Sequence, residues 1–179
     1  MTPDTGAPDG IASAEASGGS SAGADGWYAL RVPVRFRDLD PMGHAHHTLP
    51  LVYLEEARAA LWRELQGSAA LDSIDYVMAE VTLRFHARIR YPGTVRVRLA
   101  VTAVGVKSFT TSFEILDDAG TPLSSGTAVQ VAYDYASSSA KPLDPGLRAA
   151  LEVAAAAWRA SQNSSAIVAD TEPMSAPRT

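Results

Sequence analysis

Residues 34–58 read VRFRDLDPMGHAHHTLPLVYLEEAR, and the change of rhythm inside this stretch decides the architecture. Leading into it, apolar side chains fall on every second position, Tyr28, Leu30, Val32, Val34 and Phe36, with Arg31, Arg35 and Arg37 on the alternate side. That is a strand with one buried face. Pro41 and Gly43 break the alternation, and Pro50 then sits in the first turn of a helix, where its missing N–H does no harm, with Thr48 or Leu49 leading in. The helix is expected from about Pro50 to Gln66, stopped by Gly67. Leu51, Val52, Tyr53, Leu54, Ala57, Ala60, Leu61, Trp62 and Leu65 cover too much of its circumference for a surface helix, so it belongs at the centre of the domain.

After a linker around Ser68 to Asp75, period two returns in Val81, Leu83, Phe85, Ala87, Ile89 and Tyr91, with Thr82, Arg84, His86, Arg88 and Arg90 opposite. Pro92 and Gly93 turn the chain. Three further strands are expected over Val95–Val101, Phe109–Ile115 and Val129–Tyr135, the last with Val129, Val131, Tyr133 and Tyr135 as its apolar set, separated by turns at Gly105 and at Asp117 to Pro122. Connections this short imply antiparallel neighbours. An Ala-rich helix from Pro145 to about Arg159, capped near Asp144, closes the order. One long buried helix against a mostly antiparallel sheet is an α+β architecture in which the sheet must curl round the helix.

The two ends differ in character from this middle. Residues 1–26 are mostly small and polar with four acids and no base, and residues 160–179 hold two acids and one base, so both are expected as disordered tails around a domain at 27–159. The middle carries fourteen charges of each sign; its neutrality argues against a nucleic-acid partner. With no cysteine, disulfides, thiolate metal sites and a thiol nucleophile are excluded. The N-terminal stretch lacks the basic patch and apolar core of a signal peptide and no apolar run is long enough for a bilayer, so the expectation is a soluble cytoplasmic protein without a membrane partner.

This element order, together with the quoted stretch, resembles the hotdog-fold acyl-CoA thioesterases of the 4-hydroxybenzoyl-CoA thioesterase type. Members of that family commonly show an aromatic strand end, D-x-D, G-H-V-N-N and a helix reading Y-L-E-x-A-R. Phe36, Asp38, Asp40, Gly43, His44 and Tyr53 to Arg58 match without a gap, and the resemblance covers residues 28 to about 150. Four positions depart from it: His46 and His47 replace the usual Asn pair, Pro50 a frequent Tyr, and Arg88 a common Pro.

The resemblance implies a hotdog fold, an antiparallel sheet wrapped around one long helix, and hydrolysis of an acyl-CoA thioester with no metal or other cofactor. Asp40 is implied as the catalytic carboxylate, either nucleophile or general base. The backbone N–H of His47 is implied as an oxyanion donor, and Gly43 and Thr48 belong to the same helix-start group. A helix start offers unpartnered amides and a favourable dipole for such a charge. The His47 imidazole is a candidate proton shuttle. A loop aspartate that merely caps backbone near Gly43 is the plainer use of Asp40. His44 and His46 beside two aspartates invite a metal reading, but neighbours at a loop–helix junction usually diverge, so no metal is expected. His86 is expected exposed or at an interface, and Met42 and Trp62 in packing.

Coenzyme A phosphates are expected at Lys107 and Ser108 in the Gly105 turn, and at Arg90 near Pro92. Glu55 and Glu56 are reserve carboxylates, although pairing of Glu55 with Arg58 explains them as helix support. The family pairs its subunits and builds sites between them, so a homodimer or homotetramer is expected. Two other functions fit the same residues: hydrolysis of a carrier-protein thioester, and acyl-thioester binding without turnover.

Overall fold

The computed structural model describes residues 21–23, 25–66 and 75–169, side chains at 21, 22, 66 and 165–169 excepted. Gly67 and the expected linker up to residue 74 lie outside the described residues, as do 1–20 and 170–179. The elements are β1 (Ser21–Ala22), β2 (Tyr28–Val34), a short 3-10 turn (Phe36–Asp38), α1 (Leu49–Gln66), β3 (Tyr76–Phe85), β4 (Gly93–Val104), β5 (Ser108–Leu116), β6 (Pro122–Asp134), β7 (Ser139–Ala140) and α2 (Pro145–Ala169). The strands form one antiparallel sheet in the order β1-β2-β4-β5-β6-β3, with β7 on β6.

The sheet wraps α1. Tyr53, Leu54 and Ala57 of the helix are fully buried against Val32 of β2, Val97 and Leu99 of β4, and Phe113 and Ile115 of β5. Each of the Leu, Val, Ile and Phe side chains contributes about 1.5–3 kcal/mol by leaving water. A second cluster joins Trp62 at the far end of α1 to Tyr76, Phe109, Val101, and Leu147, Leu151 and Ala155 of α2. The alternation expected for β2, β4 and β5 matches the buried faces found there.

Two strands depart from expectation. Over Ala128–Ala132 of β6 the buried residues are Ala128, Gln130 and Ala132, while Val129 and Val131 are half-exposed on the other face. Small side chains face the interior because that face is crowded: a Cβ at Gly126 would stand 2.8 Å from the Phe113 ring and 1.9 Å from the Thr82 carbonyl oxygen. The second departure is β3, which begins at Tyr76 and ends at Phe85, although the alternation runs on to Tyr91. The amides of His86 and Ala87 both donate to the Leu123 carbonyl, which breaks the ladder, and the Ile89 carbonyl then accepts from Ala45 in the loop before α1. Residues 86–90 thus leave the sheet and become a wall beside that loop.

The ends are longer than composition suggests. Ser21 and Ala22 pair with Ala29 and Tyr28, and Gly26, at φ +71°, lies so close to the backbone of Trp158 that any side chain would clash. Helix α2 continues ten residues past Arg159, where it was expected to end, to Ala169. Alanine is the best helix former, and nothing between Ala160 and Ala169 is Gly or Pro. Asp144 caps α2 as expected, its Oδ1 accepting from Gly146 and Leu147.

Candidate active site

The loop between β2 and α1 is tied down from three sides. The Asp38 carboxylate, nearly buried, accepts from the Arg35 amide at 2.8 Å and from the Tyr53 hydroxyl at 2.9 Å, while its carbonyl accepts from the His46 amide at 2.9 Å. Burial, then the Asp38 hydrogen bond, pushes the Tyr53 phenol well above its ordinary range, so it stays a donor. Leu39 bridges Ala45, and His44 bridges Arg90. Asp38 therefore anchors the loop to the second turn of α1, and Asp40 is the aspartate left to face outward from it.

Asp40 sits in a tight turn closed by Gly43, whose φ of +77° needs a residue without a side chain and whose amide donates to the Asp40 carbonyl at 3.0 Å. One carboxylate oxygen of Asp40 accepts from the Met42 amide at 2.8 Å, and the other lies 3.4 Å from His44 Nδ1. Only 5% of the Asp40 side chain is exposed, yet it borders a cavity of about 320 Å³ that it shares with His44, His47, Pro50, Phe85 and Ser124. The backbone cap envisaged for Asp40 is thus present, and the carboxylate still has one oxygen held only loosely.

At the helix start the amides divide. The Thr48 amide faces His46 Nδ1 at 3.4 Å, Leu49 donates to the His46 carbonyl at 2.8 Å, and Leu51 to the Thr48 carbonyl at 3.1 Å. The Gly43 amide is engaged with Asp40. The amides of Gly43 and Thr48 are thus turned to partners within the loop. The His47 amide takes part in none of these bonds, and His47 borders the cavity. His46 instead organises the helix start: its Nδ1 lies 2.9 Å from Thr48 Oγ1 and its ring is 4.0 Å from that of His47.

Lys107 and Ser108 do not reach this cavity within one chain. Ser108 pairs with Val131 at one end of β5, whereas Ser124 of the cavity pairs with Ile115 seven residues further along, roughly 23 Å at strand rise. Lys107 instead donates to the Ala140 carbonyl. Arg90 does lie nearby, in an adjoining cavity of about 700 Å³ that shares His86 through Ile89 with the first. Glu55 pairs with Arg58 at 3.0 Å and Glu56 with Arg35 at 3.3 Å, and neither borders the cavity. Met42 is three-quarters exposed at the cavity mouth and is not packed, whereas Trp62 is in the core.

Two lining residues escaped the sequence. His86 stands between the two cavities, its Nε2 2.7 Å from Ser125 Oγ. Ser124, only 1% exposed, has a hydroxyl with no hydrogen-bond partner among the described residues. Nothing in the alternation of β6 singles it out. Among the described residues no three imidazole or carboxylate side chains group as metal ligands would.

The family model of the thioesterase-like superfamily matches residues 34–151, two-thirds of the chain and all of the region just described. The chain belongs to the thioesterase-like superfamily. No curated protein matches it. Among solved structures, a Thermus thermophilus thioesterase complexed with coenzyme A and zinc is 26% identical, with a TM-score of 0.64, covering 72% of this chain and 93% of that one. A Xanthomonas campestris protein assigned as an acyl-CoA thioesterase is 33% identical, with a TM-score of 0.55, covering 60% and 92%. A Pseudomonas aeruginosa protein assigned as a thioesterase is 28% identical, with a TM-score of 0.62, covering 69% and 96%. The architecture is the hotdog fold of these thioesterases, and within the thioesterase-like superfamily the segment from Val34 to Leu151 carries both the fold and the cavity.

Proposed function

We propose that this protein hydrolyses an acyl-CoA thioester to a free acid and coenzyme A, with Asp40 as the catalytic carboxylate and the His47 amide as the oxyanion donor. The observation that carries the reading is the Asp40 side chain, nearly buried in the wall of a cavity that also borders the start of α1. A shielded carboxylate acts on a bound carbonyl more strongly than one in bulk water. The carboxylate takes a proton from water, the oxygen of that water adds to the carbonyl carbon, and negative charge moves onto the carbonyl oxygen facing the helix start. The tetrahedral species collapses, the C–S bond breaks, and the proton on Asp40 passes to the departing sulfur. Direct attack by Asp40 would give an anhydride instead, and a single turnover in heavy-oxygen water separates the two, since only the anhydride route leaves the label on the protein.

Arg90 and Arg88 of the adjoining cavity are proposed to hold the phosphates, and the T. thermophilus relative, solved with coenzyme A, supports a ligand of that class. Lys107 and Ser108 would serve only from a second copy, in a homodimer or homotetramer. The lack of cysteine suits a reducing compartment, and we propose a cytoplasmic location.

The test is a panel of acyl-CoA and acyl-carrier-protein thioesters read by a thiol reagent. Turnover of the coenzyme A series is expected. Turnover of carrier-linked substrates alone, or tight binding without thiol release, overturns the reading.

A further inference from the structure

Even-numbered positions from 124 to 132 of β6 share the inward face, where space is short. Where size alone is at stake this face carries Ala128 and Ala132, both buried, and Gln130 between them shares a hydrogen bond with Thr111. Ser124 differs from all three. It is 1% exposed, paired in the sheet with Ile115 on one side and Phe85 on the other, and its hydroxyl has no hydrogen-bond partner among the described residues. A buried donor left unmade costs stability that an alanine at the same place would not. Ser124 lies where β3 ends at Phe85 and the following residues leave the sheet, and it borders the cavity shared by Asp40 and His47.

We propose that the Ser124 hydroxyl is a second oxyanion donor, acting with the His47 amide on the carbonyl oxygen of the bound thioester. This role rests on the proposed hydrolysis at the same cavity. A carbonyl oxygen that gains charge accepts more than one hydrogen bond, and donors already in place are what stabilise it. The helix start brings the His47 amide, whereas Gly43 and Thr48 turn theirs to the loop. The neighbouring imidazoles have contacts of their own: His86 Nε2 lies 2.7 Å from Ser125 Oγ, and His44 Nδ1 lies 3.3 Å from the Ala45 carbonyl oxygen and 3.4 Å from Asp40. An ionised Asp40 offers the cavity only acceptors. Ser124 brings a hydrogen from the sheet side, while His47 brings one from the helix. The hydroxyl keeps its proton throughout. The oxygen of the water adds to the carbonyl carbon, its proton goes to Asp40, and the hydrogen bond from Ser124 strengthens as charge builds on the carbonyl oxygen. It relaxes again when the C–S bond breaks and the carbonyl reforms.

Ser124→Ala in the full chain is expected to lower kcat on the best acyl-CoA substrate about 10²-fold, with KM within about threefold, the usual size for one such donor. Its urea midpoint is expected to stand at or above that of wild type, because the unmade hydrogen bond goes with the hydroxyl. A midpoint below wild type assigns the hydroxyl to holding the fold and overturns the role, as does a kcat within about threefold of wild type. Two coenzyme A ligands read the contact without turnover. A trifluoromethyl ketone in place of the thioester takes up water to form a tetrahedral adduct, and calorimetry is expected to show its affinity at least ~30-fold weaker in Ser124→Ala. The S-alkyl thioether of coenzyme A has a similar chain and no carbonyl, and is expected to bind both proteins within about twofold. Equal weakening of both ligands, or of neither, overturns the donor. If wild type binds both ligands but releases no thiol from any acyl-CoA, the hydrolysis falls while the calorimetric pair still decides on Ser124. A wild type that binds neither ligand overturns both.

Discussion

Asp38 and Asp40, two residues apart, have opposite surroundings. Asp38 is nearly buried and satisfied by the Arg35 amide and the Tyr53 hydroxyl; Asp40 is held by one amide and a loose imidazole contact at a cavity wall. The sequence displays both carboxylates and the turn around Gly43, but their spacing cannot tell which one meets the helix, because that depends on where Tyr53 falls on α1. Tyr53→Phe removes a donor from a buried carboxylate and is expected to lower stability by about 1–3 kcal/mol in urea. Its pH dependence has a definite sign. The folded phenol is pushed up chiefly by burial and then by Asp38, so above about pH 10 the unfolded chain ionises where the folded one does not. Stability conferred by keeping this phenol protonated is complete below that pH and falls as pH rises. Urea midpoints between pH 8 and 11 are expected to drop in the wild type and to drop less steeply in Tyr53→Phe.

At the scale of elements, periodicity located the strands well and their faces less well. In β4 and β5 the larger side chains are the buried ones, so alternation and packing agree. In β6 they disagree, because Phe113 and the Thr82 carbonyl occupy the space beside Gly126 and the interior accepts only small residues there. Apolar size is visible in a sequence, whereas the space left by neighbouring strands is not. The same limit applies to the end of β3, where a regular alternation through Ile89 continues after the hydrogen bonds have been taken over by Leu123 and Ala45. Gly126→Ala forces a Cβ into a backbone carbonyl and is expected to destabilise by at least ~2 kcal/mol, or to prevent folding. A urea midpoint equal to that of wild type would show that β3 yields easily at this point.

For the molecule as a whole, the wrapped sheet leaves its working surface where the β2–α1 loop meets residues 86–90, and two adjoining cavities share that wall. The charge balance of the middle pointed away from nucleic acid as an expectation, whereas only the fold shows that Arg88 and Arg90 both line the cavities at this wall while Lys107 lies far along the sheet. Arg90→Ala is expected to raise KM for acyl-CoA about tenfold, with kcat within about twofold, since a phosphate contact remote from the reacting carbonyl binds ground and transition states alike. Steady-state kinetics at two salt concentrations check this. In the proposed mechanism, however, every chemical step passes through one carboxylate. Asp40→Asn keeps the shape of that side chain and its backbone hydrogen bond but cannot take a proton or attack. Its kcat on the best acyl-CoA substrate, measured by thiol release beside wild type with the circular-dichroism spectrum unchanged, is expected to fall by at least ~10³, about 4 kcal/mol. Activity within about tenfold of wild type would contradict the account.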